Sequence, residues 1–283
     1  MRVFIAGAGY VGFEVAKLLA EQHIEVIIGQ RSTRTLPAFI QGTPFNLEDP
    51  AMLLPEGTTH IVFAAAPDTA TKGDDPVAAY ERVYVQGMRN ILAAVERQQL
   101  PIERIVFTSS TAVYATSDGE RVDESTPTTG HPPKATALKL LEAEALTLSH
   151  PQGIVLRLAG IYGPGRNRLI RMVQEGSARC SHPAPIGNRI HRDDCAGALV
   201  HLLTLPSPER VYVGVDRAPV ELCEVYRWLA QELGVAPPPE STEPDERGRG
   251  ARKVCSNERL VRSGYTFRYP TYREGYAPLI PRA

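Results

Sequence analysis

Short apolar and strand-like segments recur along this chain. Val3-Phe4-Ile5-Ala6, Ile24–Ile28, His60–Ala66, Arg104–Ser109 and Gly153–Ala159 are too short for buried helices. They read as strands, and the unbroken Val3–Ala6 run as one buried on both faces. Between them, Val15–Leu19, Val83–Gln98 and Ala135–Leu148 carry apolar residues at helical spacing. This alternation predicts an α/β fold with a doubly wound parallel sheet. In such sheets ligands gather beyond the carboxyl ends of the strands. The turns at Gly7–Gly12, Gln30–Arg34, Ala65–Asp68, Thr108–Tyr114 and Gly160–Arg166 are therefore expected to converge.

The first turn is the most specific. Gly7, Gly9 and Gly12 follow the first strand with G-x-G-x-x-G spacing, and helical sequence follows at once. That is the strand–turn–helix context of a dinucleotide loop. Gly7 permits the tight turn, Gly9 lets a pyrophosphate reach the backbone, and Gly12 lets helix and strand pack closely. The helix N-terminus, with Tyr10 and Val11, offers amide hydrogens and a positive partial charge to phosphates. The fold is thus predicted to be Rossmann-type, with a small C-terminal substrate lobe. The cofactor-binding domain is placed at 1–165 and the lobe at 166–283, with the 185–215 segment returning to the sheet.

Composition narrows the function classes. A chain of 283 residues with formal net charge -1 carries no field that favours nucleic acid or acidic membrane. No apolar run reaches the roughly 20 residues that span a bilayer. No basic leader precedes a signal-type apolar stretch, so a cytoplasmic location is expected. Cys180, Cys195, Cys223 and Cys255 form no paired motif and read as reduced structural thiols, and no metal site is expected. The proline- and charge-rich stretch from Ala236 to Arg252 reads as a loop.

Several later segments resemble the extended short-chain dehydrogenase/reductase superfamily, the group that contains the NAD-dependent epimerase/dehydratases. They are Val83-x-x-x-Gly87-x-x-Asn90, Val106 through Tyr114, Arg157 through Gly165, Arg189-Ile190-His191-Arg192-Asp193-Asp194, and Ser263-Gly264-Tyr265 through Gly275. The resemblance implies a nicotinamide cofactor and an oxidoreductase or epimerase acting on a small molecule. It implies cofactor contacts from Asn46 and Leu47 near the adenine, from Ala64, Ala65 and Ala66 at a small-residue strand end, and from Thr108, Ser109 and Ala159. It also implies a homodimer built on two helices, here Val83–Gln98 and Ala135–Leu148.

Two departures from the family pattern stand out. The glycine motif is short, as in the atypical branch. The helix expected to carry Tyr-x-x-x-Lys has no tyrosine; Thr136 and Leu140, or Ala135 and Lys139, fall at those positions. The serine partner is present as Ser110. Tyr114, Tyr162, His131, Lys139 and His191 are the candidate replacement acids, and Ser110 with Tyr162 are taken as the catalytic candidates. Tyr114, Arg166, Arg168 and Arg189 are the candidate substrate contacts, the arginines as clamps on an anion such as a nucleotide-sugar diphosphate. Where NAD-binding members carry an acid after the second strand, this chain has Gln30, followed by Arg31, Ser32 and Arg34. Guanidinium groups without a carboxylate favour a 2′-phosphate, hence NADP, with NAD as the alternative.

Overall fold

Strand β1 (Arg2–Ala6) is buried from Val3 onward, and the remaining strands of the main sheet assemble around it. The protein was studied as a computed structural model that describes residues 1–31, 36–67, 75–114, 119–128, 134–242 and 252–281. Ser32, Arg34, Asp68 and His131 lie outside these residues, as does most of the charged stretch that follows Pro239.

In chain order, β1 is followed by α1 (Gly12–Glu21), β2 (Glu25–Gln30), β3 (Gln41–Pro44), β4 (His60–Phe63), α2 (Pro76–Tyr80), a π-helical turn (Glu81–Gln86) and α3 (Gly87–Arg97). Then come β5 (Arg104–Ser110), a 3-10 turn (Thr111–Val113), β6 (Arg121–Val122), α4 (Ala135–Ser149), β7 (Gly153–Leu158), β8 (Gly160–Tyr162) and α5 (Arg168–Gln174). Next are β9 (Cys180–Ser181), β10 (Ile186–Gly187), β11 (Arg189–His191), α6 (Arg192–Thr204), β12 (Val211–Gly214), β13 (Val220–Glu221) and α7 (Leu222–Leu233). The chain closes with β14 (Glu240–Ser241), β15 (Val254–Cys255), α8 (Glu258–Arg262), α9 (Tyr272–Tyr276) and a 3-10 turn (Ala277–Leu279).

The main sheet has seven strands in the order β12-β7-β5-β4-β1-β2-β3. From β3 to β5 every pair is parallel, and β1 pairs with both β2 and β4. Strand order reverses at β1, which makes its carboxyl end the switch point of a Rossmann-type sheet. The expected α/β, doubly wound fold is therefore present. Helix α1 buries Val15, Ala16 and Leu19, and α3 buries Met88, Ile91, Ala94 and Val95. Fully burying the Val, Leu, Ile and Met side chains among these contributes about 1.5–3 kcal/mol each.

The chain divides into two discontinuous units. The first comprises 1–113, 133–157 and 196–212; the second comprises 114–132, 158–195 and 213–283. Against the expected bounds of 1–165 and 166–283, with 185–215 returning to the sheet, 196–212 lies in the first unit and 114–132 in the second. The excursion after β5 joins the second unit because β6 pairs with β15. The 196–212 segment joins the first because the backbone of Val155 bonds to Arg210. The core of the second unit gathers Tyr162, Ile170, Val173, Val225, Tyr226, Leu229, Tyr272 and Tyr276. The four cysteines are free and buried, as expected of structural thiols. No described helix is long and apolar enough to cross a membrane.

One buried ion pair ties the first unit together. Arg157 on β7 binds Glu144 on α4 through two nitrogens, at 3.0 and 2.6 Å, and Ser109 on β5 donates to the same carboxylate at 2.6 Å. Removing one partner strands a buried charge, at about 3–5 kcal/mol. Glu144→Ala should lose stability of that order in urea unfolding; a loss below about 1 kcal/mol would show that Arg157 is solvated in the folded chain.

Candidate functional site

Two of the three fingerprint glycines are demanded by the fold itself. Gly7 has φ +116, and a Cβ there would stand 2.6 Å from the Ala65 backbone. A Cβ on Gly12 would stand 2.1 Å from the Gly7 carbonyl oxygen, because α1 leaves the sheet hard against the strand it follows. Gly9 is different: a Cβ there meets nothing within 4 Å. Its lack of a side chain serves no internal packing and keeps the approach to the N-terminus of α1 clear. No side chain caps that terminus. Its amide hydrogens and partial positive charge suit a phosphate group, so the loop fits the pyrophosphate of a dinucleotide.

The neighbouring strand ends carry the other candidates of the first unit. Ala6 pairs with Gly29 on one side and Phe63 on the other, so β1, β2 and β4 end at one level. This brings Gly7, Ala64 and Ala65 together; Ala66 is exposed beyond them. Gln30 turns toward β3, its amide nitrogen 3.1 Å from the point a Cβ on Gly42 would occupy. Arg31 lines an open groove of about 530 Å3 with Pro44, Phe45, Asn46, Glu48 and Asp49. Leu47 packs beside Gly87, and its carbonyl accepts from Asn90. The carboxylates of Glu48 and Asp49 in this groove were not singled out in the sequence, because no spacing motif marks them.

The hydroxyls at the end of β5 are engaged locally. Thr108 donates to the Phe63 carbonyl at 2.9 Å, and Ser109 holds Glu144. The Ser110 oxygen accepts from the Ala112 amide at 3.1 Å, which leaves its own O–H to donate elsewhere. Helix α4 carries no tyrosine. Thr136 is half-buried on it. Lys139 is held by Glu81 at 2.6 Å and Glu142 at 3.3 Å, and these carboxylates push it above the usual lysine range.

The second unit holds the remaining candidates. Tyr114 is buried, and its carbonyl accepts from Lys253. Ala159 is buried, with its amide donating to Gly214. Arg166 and Arg168 are exposed. His191 is buried beside Tyr162 and Tyr269, as a packed histidine would be. Tyr162 and Arg189 are each only 4% exposed. The Tyr162 ring stacks on Tyr276 at 4.3 Å, and burial pushes its phenol far above its ordinary range. Asp216, which no sequence motif flagged, lies with them: its amide donates to the Arg189 carbonyl at 2.7 Å.

The sequence matches the NAD dependent epimerase/dehydratase family over residues 3–214. The chain belongs to that family. Protein YeeZ of Escherichia coli K12 is 30% identical over 195 residues, covering 67% of this chain and 66% of YeeZ. The chain thus spans just under two thirds of the length of the curated relatives it matches first. A Methylobacillus flagellatus protein provisionally described as an NAD-dependent epimerase/dehydratase is 34% identical, covers 98% of this chain and 97% of its own, and superposes with TM-score 0.81. Human epimerase family protein SDR39U1, solved with NADPH, shares the fold at TM-score 0.78 and 18% identity, covering 97% of both chains.

The glycine geometry makes a stability contrast. Gly9→Ala should leave the melting temperature within about 2 °C of wild type, whereas Gly12→Ala should lower it by several times that, because only the second methyl meets backbone. Equal melting shifts in calorimetry would refute the separation of fold-bound from ligand-bound glycines.

Proposed function

We propose that this member of the epimerase/dehydratase family binds NADP and acts as an oxidoreductase or epimerase on a small molecule, a nucleotide sugar or carbonyl compound. The observation that carries the cofactor reading is Gly9, whose missing side chain nothing inside the fold requires. Gly7, Gly9, Tyr10, Val11 and Gly12 would hold the pyrophosphate. Gln30, Arg31, Ser32 and Arg34 would face the ribose, Asn46 and Leu47 the adenine, and Ala64, Ala65, Ala66, Thr108, Ser109 and Ala159 the rest. A bound nicotinamide supplies the hydride chemistry. Gly9→Val should abolish NADPH binding by fluorescence titration while the fold persists. Arg31→Ala should weaken NADP by about 1–3 kcal/mol and leave NAD nearly unchanged. Tighter binding of NAD than NADP by the wild type would overturn the choice of cofactor; Glu48 and Asp49 in the same groove supply the opposing charge.

In the reaction, Ser110 is proposed to donate a hydrogen bond to the substrate's reacting oxygen. Tyr114, Arg166, Arg168 and Arg189 are proposed substrate contacts. The sequence suggested Tyr162 as proton donor. A phenol buried and pushed so high keeps its proton at neutral pH, so we assign Tyr162 to hydrogen-bond donation and leave proton delivery to solvent through Ser110. Lys139, fixed between two carboxylates, has no phenol on α4 to activate, and the chain is read as working without the Tyr–Lys pair. Ser110→Ala should cost about 10²–10⁴-fold in kcat. Tyr162→Phe should raise KM more than it lowers kcat, and Thr136→Val should change neither. A Thr136→Val variant as inactive as Ser110→Ala, with cofactor affinity intact, would overturn the assignment.

A second reading is a non-catalytic NAD(P)-binding sensor or scaffold. The engagement of Lys139 by Glu81 and Glu142 favours it. Tight NADPH binding with no oxidation across a carbonyl and nucleotide-sugar panel would select this reading. A cytoplasmic homodimer through α3 and α4 completes the proposal.

A further inference from the structure

Two of the four cysteines lie against each other in the second unit. Cys180 on β9 and Cys223 in the first turn of α7 are both buried, and Ala184 completes their cluster. Their thiols are in hydrogen-bond contact. Cys195 on α6 and Cys255 on β15 stand outside this cluster. The backbone enforces the pairing. Strand β10 follows Cys180 and runs antiparallel to β13, with Ile186 opposite Glu221 and Gly187 opposite Val220. β13 leads directly into α7. The Leu222 amide then donates to the Pro185 carbonyl at 2.8 Å. Main-chain bonds thus hold the start of α7 beside the segment that carries Cys180.

Exposed charges surround the pair. Glu240 on β14 stands in register with Cys180, accepts from Arg227 at 2.7 Å and meets His182 at 2.6 Å. All three side chains are more than half exposed, and exposed ion pairs hold a segment weakly. β9 and β14 have two residues each, so opening here costs less than opening the core. In the closed form burial, with the Cys180 thiol beside it, pushes the Cys223 thiol up and keeps it protonated. Arg227, one turn along α7, opposes that shift. Exchange therefore runs through the opened form, where the thiol regains its ordinary range.

We propose that Cys180 and Cys223 are a redox-modifiable pair, which a small-molecule disulfide such as oxidised glutathione converts reversibly to an internal disulfide between β9 and α7. Cys223 attacks first, being 3% exposed against 0% for Cys180 and having Arg227 one turn away. Its thiolate bonds to one sulfur of the small disulfide, whose S–S bond breaks and releases one thiolate. The Cys180 thiolate then attacks Cys223 Sγ in the mixed disulfide, and the second small thiolate leaves. Two protein thiols are oxidised, one small disulfide is reduced to two thiols, and the two protons pass to the departing thiolates. Placing the sulfurs side by side makes the second step intramolecular and fast. Helix α7 carries Val225, Tyr226 and Leu229 into the core of the second unit, so the bridge braces that core from its edge. The pair and its chemistry need neither the cofactor nor the reaction proposed above.

The full chain, reduced and then freed of reductant, is incubated with excess oxidised glutathione under native conditions. Remaining thiols are alkylated in denaturant and counted by mass spectrometry. Free thiols should fall from four to two, with Cys180 joined to Cys223 in the peptide map. Dithiothreitol should restore all four, and circular dichroism should stay unchanged throughout. The urea-unfolded chain is the control, in which the same treatment should consume every thiol with mixed pairings. Cys180→Ser should stop at one glutathione held on Cys223, because the second attack has lost its nucleophile. Cys223→Ser should keep its remaining thiols. Four thiols after the incubation of the folded wild type, a bridge between any other two cysteines, or glutathione retained on wild-type Cys223 would each overturn the pair. So would a thiol loss in Cys223→Ser equal to that of the wild type. Should a serine variant unfold by circular dichroism, the alanine variant at the same position replaces it with the same expectation, and the wild-type map decides by itself.

Discussion

Helix α1 rises from the end of β1 so closely that residue 12 has no room for a methyl group. This contact fixes where the helix points, and hence what its N-terminus can face. The sheet contributes the other half of the constraint. β1 lies between β2 and β4, and the ends of these strands stand level, so the turn at Gly7 abuts Ala65. Strand order reverses there, and a doubly wound sheet opens its binding crevice at such a point. Packing thus dictates Gly7 and Gly12, while the freedom around Gly9 is left to function.

The two units satisfy buried charge in contrasting ways. In the first, Glu144, Arg157 and Ser109 close on one another, with a bidentate pair and a third donor, so the charges are spent on holding α4 against β5 and β7. In the second, Arg189 faces the Tyr272 ring and the charge of Asp216, and neither of its terminal nitrogens is hydrogen-bonded among the described residues. Low dielectric makes the first arrangement rigid and leaves the second, without hydrogen bonds between its charges, the costlier of the two. The same residue types therefore carry opposite messages, and only the partner census distinguishes them.

That distinction sets what could be read from the sequence. The strands and the glycine turn were legible because continuous apolar runs and fixed glycine spacing depend on local rules. The short strands after Tyr162 were not: β9, β10 and β13 to β15 have two residues each and exist through pairing with distant segments. The return of a late segment to the sheet was expected, but the place of 114–132 in the second unit was not, since the β6–β15 pair joins residues far apart in the chain. At the site, Gly7, Gly9 and Ala65 were found by motif. Asp216 was missed because it stands in an ordinary turn after β12 and gains meaning only beside Arg189. Arg189 was named with Arg166 and Arg168 as equals, and burial alone sets it apart from those two exposed arginines.

The division also implies different sensitivities for the two ligands of the proposed enzyme. A pyrophosphate on a helix N-terminus is held by backbone amides that never titrate, so its binding has no proton linkage from the loop itself. A substrate contact from the second unit would instead share its surroundings with the Asp216 carboxyl, which burial pushes up to about 7. A pH change across that range alters one partner and leaves the other in place. Any pH dependence of kcat/KM that is absent from cofactor affinity would then originate in the second unit, where the charge is buried, and not at the glycine turn.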